Sequence, residues 1–129
     1  MLRELDFQSE AALYMQLRNQ IVLGIARSMI REGDPLPSVR QLAGDIGINM
    51  HTVNKAYAVL RDEGFVSIDR RRGAVIALNG DRERTEEELR KQLLVMLAKS
   101  ICKEIPRADV HAMVDEIYDE LLSNTECAG

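Results

Sequence analysis

The sequence predicts a mainly α-helical fold with one small β-hairpin, and three observations lead to that prediction. Apolar residues recur every three or four positions in five segments, which is the spacing of amphipathic helices. A turn of about three residues that contains glycine separates the second segment from the third. Two short runs rich in β-branched residues flank the sequence Arg-Arg-Arg-Gly, which is typical of a hairpin.

The first helix is predicted from Glu10 to Arg31, with Ser9 capping its N-terminus. The segment 32–37 contains one glycine and two prolines, so the helix should end before it. The buried stripe of this helix should consist of residues four apart, namely Leu13, Leu17, Ile21, Ile25 and Met29.

The second and third helices should form a helix-turn-helix. Ser38 can cap the second helix, and Gly47 is placed to close it in a left-handed conformation. Asn49 can cap the third helix, which Gly64 ends, and the hairpin of residues 66–77 would be a wing. The residues expected to face the core are Val39, Leu42, Ala43 and Ile46 of the second helix and Val53, Ala56, Tyr57 and Leu60 of the third.

The C-terminal part is predicted to be a separate helical appendage. Residues 1–79 would form the winged helix-turn-helix domain, the polar residues 80–84 a linker, and residues 85–129 a two-helix dimerisation region. Thr85 should cap a helix over about 86–104, and the proline at position 106 should separate it from a helix over about 107–122.

Both of these helices are amphipathic, and two such apolar stripes exceed what a small domain can cover. We therefore predict that the pair packs on a second copy of the chain, forming a homodimer. Packing onto the first helix is the alternative, and a ligand pocket between the two helices is another possibility. The predicted dimerisation residues are Leu89, Leu93, Met96, Leu97, Ile101, Val110, Met113, Val114, Ile117, Tyr118 and Leu121.

The charge of the chain is unevenly distributed. The net charge is −4, but residues 1–80 carry ten Lys and Arg against nine Asp and Glu, whereas residues 81–129 carry seven against twelve. The N-terminal part can therefore offer the local basic surface that nucleic acid requires. No apolar run reaches the ~20 residues of a bilayer span, and the N-terminus does not resemble a signal peptide, so we expect a cytoplasmic protein without membrane contact.

The reactive side chains do not suggest catalysis. Cys102 and Cys127 are expected to be free thiols, with Cys102 buried; a redox role or an interchain disulfide is the alternative. The sequence has no Cys-x-x-Cys motif, phosphate-binding loop or nucleophile–base pair. We therefore predict no enzyme activity, metal or cofactor.

The polar face of the third helix is the main candidate for DNA binding. With the apolar face buried, the opposite side presents His51, Asn54 and Lys55, and Met50 and Thr52 lie in the first turn. Recognition helices read base edges with their N-terminal residues, and amide, hydroxyl and ammonium groups can bond to bases or phosphates. The alternative is a solvated helix face without a ligand.

Two further basic features support this interpretation. Arg40 lies in the first turn of the second helix, where a cation opposes the helix dipole, so we expect either a DNA contact or a salt bridge to Asp45 to stabilise it. The wing concentrates positive charge beside a glycine that permits close backbone approach, and it can enter a minor groove or bind phosphates. The predicted wing residues are Arg70, Arg71, Arg72 and Gly73.

Three segments give the chain a family resemblance: Ala-Leu-Tyr-Met-Gln-Leu at 12–17, Leu-Pro-Ser-Val-Arg-Gln-Leu-Ala at 36–43, and Thr-Val-Asn-Lys-Ala-Tyr-Ala-Val-Leu-Arg-Asp-Glu-Gly at 52–64. Over about residues 10–78 the sequence resembles the GntR family of bacterial winged-helix regulators. Its short C-terminus is similar to that of the YtrA subfamily. The resemblance implies DNA contacts by Arg40, Met50, His51, Thr52, Asn54, Arg72 and Gly73.

The functional prediction is therefore a regulator that binds double-stranded operator DNA as a homodimer. The resemblance implies repression of the chain's own operon, often one that encodes a transporter. The alternative is a winged-helix module that binds an acidic protein partner without reading DNA. The sequence identifies neither the operator nor a small-molecule effector.

Overall fold

The computed structural model describes the backbone of residues 10–128 and the side chains of residues 13–123. It divides into two compact units, one ending at Asn79 and the other beginning at Gly80. The first prediction, a mainly α-helical fold with one hairpin, is confirmed. The elements are α1 (Glu10–Ala26), α2 (Val39–Ile46), α3 (Met50–Asp62), β1 (Val66–Asp69), β2 (Gly73–Ile76), α4 (Arg82–Cys102) and α5 (Arg107–Ala128).

The core of the first unit lies where α1, α2 and the hairpin meet α3. The predicted inner face of α3 is confirmed, because Val53, Ala56, Tyr57 and Leu60 are all buried. These residues pack against the apolar stripe of α1 and against the inner side of the two strands. The largest fully buried side chains are Leu17, Ile21, Val53, Leu60, Val66 and Ile76.

The caps predicted at the helix-turn-helix are confirmed. The Ser38 hydroxyl accepts a hydrogen bond from the Gln41 N–H at 3.0 Å, and the Asn49 side chain accepts one from the His51 N–H at 2.7 Å. Gly47 closes α2 with φ of 72° and donates its N–H to the Ala43 carbonyl. These bonds satisfy backbone groups that a helix end leaves free, and only three residues separate the end of α2 from the start of α3.

The prediction that the first helix reaches Arg31 is wrong, because α1 ends at Ala26. Ser28 adopts a φ of 60°, and the N–H groups of Met29 and Ile30 both donate to the Gly24 carbonyl, which closes the helix. Met29 consequently leaves the predicted buried stripe and is 60% exposed.

The segment that follows α1 pairs with β2. The N–H of Gly33 donates to the Ile76 carbonyl, the N–H of Ile76 to the Asp34 carbonyl, and the N–H of Leu36 to the Ala74 carbonyl, at 2.8–2.9 Å. This pairing supplies partners to the free edge of the hairpin. It also places residues 33–36 beside the wing.

The hairpin and its entry are tightly constrained. The strands β1 and β2 are antiparallel, with Val66 opposite Ile76 and Asp69 opposite Gly73. Gly64, just before β1, has a φ of 85°, and a Cβ there would lie 2.6 Å from the Asn79 carbonyl oxygen. A side chain at this position would therefore clash with the backbone where the first unit ends.

The second unit differs from the expectation at both ends. The Asp81 side chain caps α4 by accepting from the Arg84 N–H at 3.1 Å, so α4 begins at Arg82 rather than after Thr85. Three residues of the expected linker are thus helical. At the other end α5 continues to Ala128, beyond the predicted end at Leu122.

No residue of α4 or α5 whose side chain the structure describes is buried. Leu94 is 72% exposed and Ile101 is 77% exposed. The burial expected for Cys102 is wrong, because this free thiol is exposed at the end of α4. The Cys127 side chain lies outside the described residues. None of the helices that the structure describes is long and apolar enough to cross a membrane.

Candidate nucleic-acid interface

The exposed side of α3 forms the centre of the candidate interface. His51, Asn54 and Lys55 are exposed, as the sequence predicts, and Met50 is 46% exposed at the first position of the helix. Thr52 is half-buried, and is therefore less accessible than His51, Asn54 and Lys55. The helix carries these polar groups outward because its opposite face fills the core.

Two neighbouring grooves lie between α3, the start of α2 and the wing. The first is lined by Val39, Asn49, Met50, His51 and Asn54, at the beginnings of α2 and α3. The second extends from the Ser38 cap of α2 to Gly73 of the wing and includes Asn54 and Arg61. Asn54 and Val39 line both grooves, so the two grooves form one continuous surface on which Asn54 is the shared polar side chain.

Arg61 is a residue that the sequence analysis did not select. It lies seven positions after Asn54, and therefore two helical turns along the same exposed side of α3. Its side chain is 55% exposed and lies 4.0 Å from the Asp62 carboxylate, a distance at the limit for an ion pair. The spacing of Asn54, Ala58 and Arg61 was the signal that could have found it.

Tyr57 fixes the position of α2 against α3. Its hydroxyl donates a hydrogen bond to the Pro37 carbonyl at 2.8 Å, directly before the cap of α2. Burial raises the pKa of Tyr57 to about 12, since ionisation would place a charge inside the domain. The hydroxyl therefore remains a neutral donor at physiological pH.

Arg40 is exposed at the second position of α2. It forms no ion pair with Asp45, or with any other residue among those that the structure describes. The salt bridge that the sequence left open as an explanation is therefore not formed. The guanidinium remains available to an anionic ligand.

Asp69 orders the turn at the tip of the wing. Its Oδ1 accepts hydrogen bonds from the N–H of Arg71 at 2.7 Å and the N–H of Arg72 at 3.2 Å. These two backbone bonds, followed by the nearby charge of Arg72, lower the pKa of the Asp69 carboxyl. An Asp side chain that bonds to the backbone two residues on is typical of a tight turn, and the sequence contained this signal.

The three arginines of the wing are not equivalent. The Arg72 Nε lies 3.7 Å from the Asp69 carboxylate, and its Nη1 donates to the Gly33 carbonyl at 3.4 Å. Arg70 and Arg71 are exposed, and their guanidinium groups form no ion pair within residues 13–123. The guanidinium of Arg72 is therefore restrained by Asp69 and Gly33, whereas the side chains of Arg70 and Arg71 are not restrained by such contacts.

Lys55 lies at the other side of α3, next to α1. Its Nζ lies over the ring of Tyr14, 4.2 Å from the ring centroid. His51 lies one helical turn before Lys55 and lines the groove at the start of α2, so it lies between that groove and the lysine. The grooves toward the wing and the lysine toward α1 thus flank the same helix.

Most of the predicted dimerisation residues are exposed apolar side chains. Val110 and Leu121 are half-buried, and the other nine are exposed. Four further apolar residues that the sequence analysis did not select are also exposed on this unit: Leu94, Val95, Ile105 and Leu122. Among the described side chains, no three His, Cys, Asp or Glu residues are grouped so that they could hold a metal ion.

The chain is similar to known bacterial regulators. The model of the family described as bacterial regulatory proteins, gntR family, matches residues 10–76. The HTH-type transcriptional repressor YtrA of Bacillus subtilis is 30% identical over 117 residues, which cover 88% of this chain and 90% of that protein. The structure of YtrA from Sulfolobus acidocaldarius, a GntR-family transcription factor, is 32% identical with a TM-score of 0.54, and covers 91% of this chain and 97% of that one.

A transcriptional antiterminator from Listeria monocytogenes EGD-e has a TM-score of 0.81 at 23% identity, covering 92% of this chain and 90% of that one. At this identity the likeness supports the winged-helix fold alone.

Proposed function

We propose that this chain, which belongs to the gntR family of bacterial regulatory proteins and is a DNA-binding transcriptional regulator, acts as a homodimeric repressor of its own operon. The Bacillus subtilis relative that supports this proposal is named a repressor and aligns over nearly its whole length. Repression requires access to the chromosome, so we place the protein in the cytoplasm.

The observation that carries the proposal is the surface on which the start of α2, the exposed side of α3 and the wing meet. Met50, His51 and Asn54 lie where a recognition helix contacts base edges. Asn54 can pair with an adenine through two hydrogen bonds, whereas Arg40, Arg70 and Arg71 fit phosphates or a minor groove. The Asp69 turn and the Tyr57 hydrogen bond hold the elements that present these groups.

The apolar surface of the second unit supports the homodimer. Exposed leucine, isoleucine and methionine side chains on both α4 and α5 require a partner, and a second copy offers a complementary apolar surface. We assign residues 1–79 to DNA binding and the helices after them to dimerisation. A two-fold dimer predicts a palindromic operator whose half-sites are about 34 Å, or one helical turn, apart.

The test is binding of Arg40→Ala to a palindromic duplex selected from a random pool with the wild-type protein. A lost phosphate contact in each protomer should weaken binding and should reduce the dependence of affinity on salt. Arg90→Ala, which removes the same charge from α4, is the matched control and should bind as the wild type does.

Two results would contradict the assigned surface. One is equal affinity of Arg40→Ala and the wild type. The other is a wild-type protein that binds no duplex, selected or random, at low salt. The second result would favour the winged-helix protein-interaction module instead.

A further inference from the structure

We propose that Tyr14 is a positioning residue for DNA binding, whose ring holds the Lys55 ammonium against α1 so that it binds a DNA phosphate there. This inference rests on the proposed DNA-binding function and assigns a role to a residue outside α2, α3 and the wing. Its basis is the position of the Lys55 Nζ, 4.2 Å from the centroid of the Tyr14 ring.

The Tyr14 ring is fixed by its packing, whereas the Lys55 side chain is flexible and needs a contact to restrict it. Tyr14 is half-buried in α1 and packs against the core, so the position of its ring is fixed by the fold. Lys55 is exposed on α3, and its flexible four-carbon stem would otherwise spread the ammonium over many positions. The ring attracts the cation through its electron-rich face and restricts it to one place.

The pairing leaves the charge of Lys55 unneutralised. Lys55 forms no ion pair with a carboxylate within the described side chains. An aromatic face attracts the ammonium without cancelling its charge, and the N–H donors that point away from the ring stay free. This arrangement fits an anionic ligand better than a purely structural contact, for which a carboxylate partner would serve.

The position on α3 favours a phosphate over a base. Asn54 and Arg61 line the groove toward the wing, whereas the Lys55 ammonium lies over the ring of Tyr14 in α1. A helix in a major groove has a DNA backbone on either side, and the flanks of the helix approach those backbones. An ammonium is a compact point charge that binds phosphate oxygens without needing the planar geometry of a base edge.

The first measurement is the salt dependence of binding to a fluorescein-labelled mixed-sequence duplex, followed by fluorescence anisotropy from about 50 to 200 mM salt. Lys55→Gln should lower the slope of log affinity against log salt by about 0.9 for each bound protomer, because one phosphate contact is lost. An unchanged slope would overturn the proposal. A wild-type protein that does not bind the duplex would instead overturn the proposed function.

The second measurement is a double-mutant cycle between the two residues. Tyr14→Leu should weaken binding about two- to fivefold, the range for loss of an exposed cation–π contact, with the salt slope unchanged. It should have no further effect in the Lys55→Gln background. Tyr14→Phe keeps the ring and should bind within about twofold of the wild type.

The outcomes separate positioning from stability. Thermal unfolding of each variant, followed by circular dichroism, shows whether Tyr14→Leu is folded at the temperature of the binding assay. An equal loss of affinity from Tyr14→Leu in both backgrounds would overturn the proposal, since that loss would not act through Lys55. A loss from Tyr14→Phe as large as that from Tyr14→Leu would also overturn it, because the ring face would then not be the group that matters.

Discussion

The two units of this chain use the same sequence pattern with opposite results. In the unit ending at Asn79, apolar residues at helical spacing are buried, and Leu17, Val53 and Leu60 are completely inaccessible. In the unit beginning at Gly80, the same spacing produces helices of 21 and 22 residues without one buried side chain among those described. Amphipathic periodicity therefore predicts which face of a helix needs covering, but not what covers it.

The difference has a simple physical cause. In the first unit, α1, α2 and the hairpin surround α3, so its apolar face is covered within the chain. The second unit has only two helices, and two helices alone cannot enclose a core. The first unit can thus present the proposed DNA-binding surface preformed, whereas the second completes its core only in the proposed dimer.

The largest expected effect comes from breaking that dimer. Leu97→Glu places a charge on the apolar side of α4 and should convert the protein to monomers, observed by analytical ultracentrifugation. Affinity for the palindromic duplex should fall about 100-fold or more, because two linked contacts become one. Lys99→Gln changes the charge by the same amount on the other side of α4 and should leave the dimer intact. A Leu97→Glu protein that remains dimeric would contradict the assigned interface.

The next largest effect is expected from the same substitution, leucine to alanine, made once in each unit. Leu60→Ala should lower the free energy of unfolding in urea by about 2–5 kcal/mol at any protein concentration, since it opens a cavity in a closed core. Leu94 is 72% exposed in the chain. Any loss of stability from Leu94→Ala should therefore depend on protein concentration, because only a second copy would bury those atoms. Equal and concentration-independent losses would remove the distinction between the units.

A smaller effect is expected within the first unit from Tyr57→Phe. Loss of the hydrogen bond to the Pro37 carbonyl should lower the free energy of unfolding by about 0.5–1.5 kcal/mol. Burial raises the pKa of Tyr57 from 10.0 to about 12, so the folded state holds the proton more tightly than the unfolded state does. The wild type should therefore lose stability as the pH rises from 10 to 12, and Tyr57→Phe should lose less over that interval.

The matched control for this prediction is Tyr118→Phe. Tyr118 is 61% exposed in the chain, so removal of its hydroxyl should leave urea unfolding of the first unit unchanged. The prediction fails if Tyr57→Phe and the wild type have the same stability from neutral pH to pH 12.

The smallest effect is expected at the wing. Asp69→Ala removes the acceptor for the N–H groups of Arg71 and Arg72, whereas Asp69→Asn keeps an oxygen there and removes the same charge. Asp69→Ala should therefore bind DNA severalfold more weakly than Asp69→Asn. Because the pKa of Asp69 is lowered, the carboxylate should remain charged at neutral pH, and only the contribution of its charge to the turn should be lost as the pH falls below 3.8, since the protonated side chain keeps an acceptor oxygen. Equal affinities of the two variants would show that the ordered turn does not contribute.

Several local features were predictable from the sequence. The caps at Ser38 and Asn49 and the left-handed Gly47 involve hydrogen bonds within five residues, so neighbouring residue types specify them. The helix ends that were predicted incorrectly depend on competing cap residues and on tertiary contacts, and the hydrophobic pattern does not distinguish between these. At α4, Asp81 caps the helix before Thr85 can, and at α1 the chain turns early, ahead of a segment that pairs with β2 about forty residues away.

In the candidate site, too, some features were predictable from the sequence and others depended on tertiary contacts. The sequence selected His51, Asn54, Lys55 and the wing arginines correctly as exposed groups, because exposure follows from helix and hairpin periodicity. It did not predict that Arg72 would be held by Asp69 and the Gly33 carbonyl, or that Lys55 would lie on Tyr14.

The sequence by itself thus determined the identity of the elements, the caps of α2 and α3 and the faces that the helices of the first unit present, since hydrogen bonds and periodicity over a few residues set these. Tertiary structure alone decided which of the exposed charges are held and which are free. Apart from the pair of Asp69 and Arg72, which are three residues apart, the contacts responsible join residues that are distant in the sequence, such as Lys55 with Tyr14 and Arg72 with Gly33, and only packing of the elements brings them together.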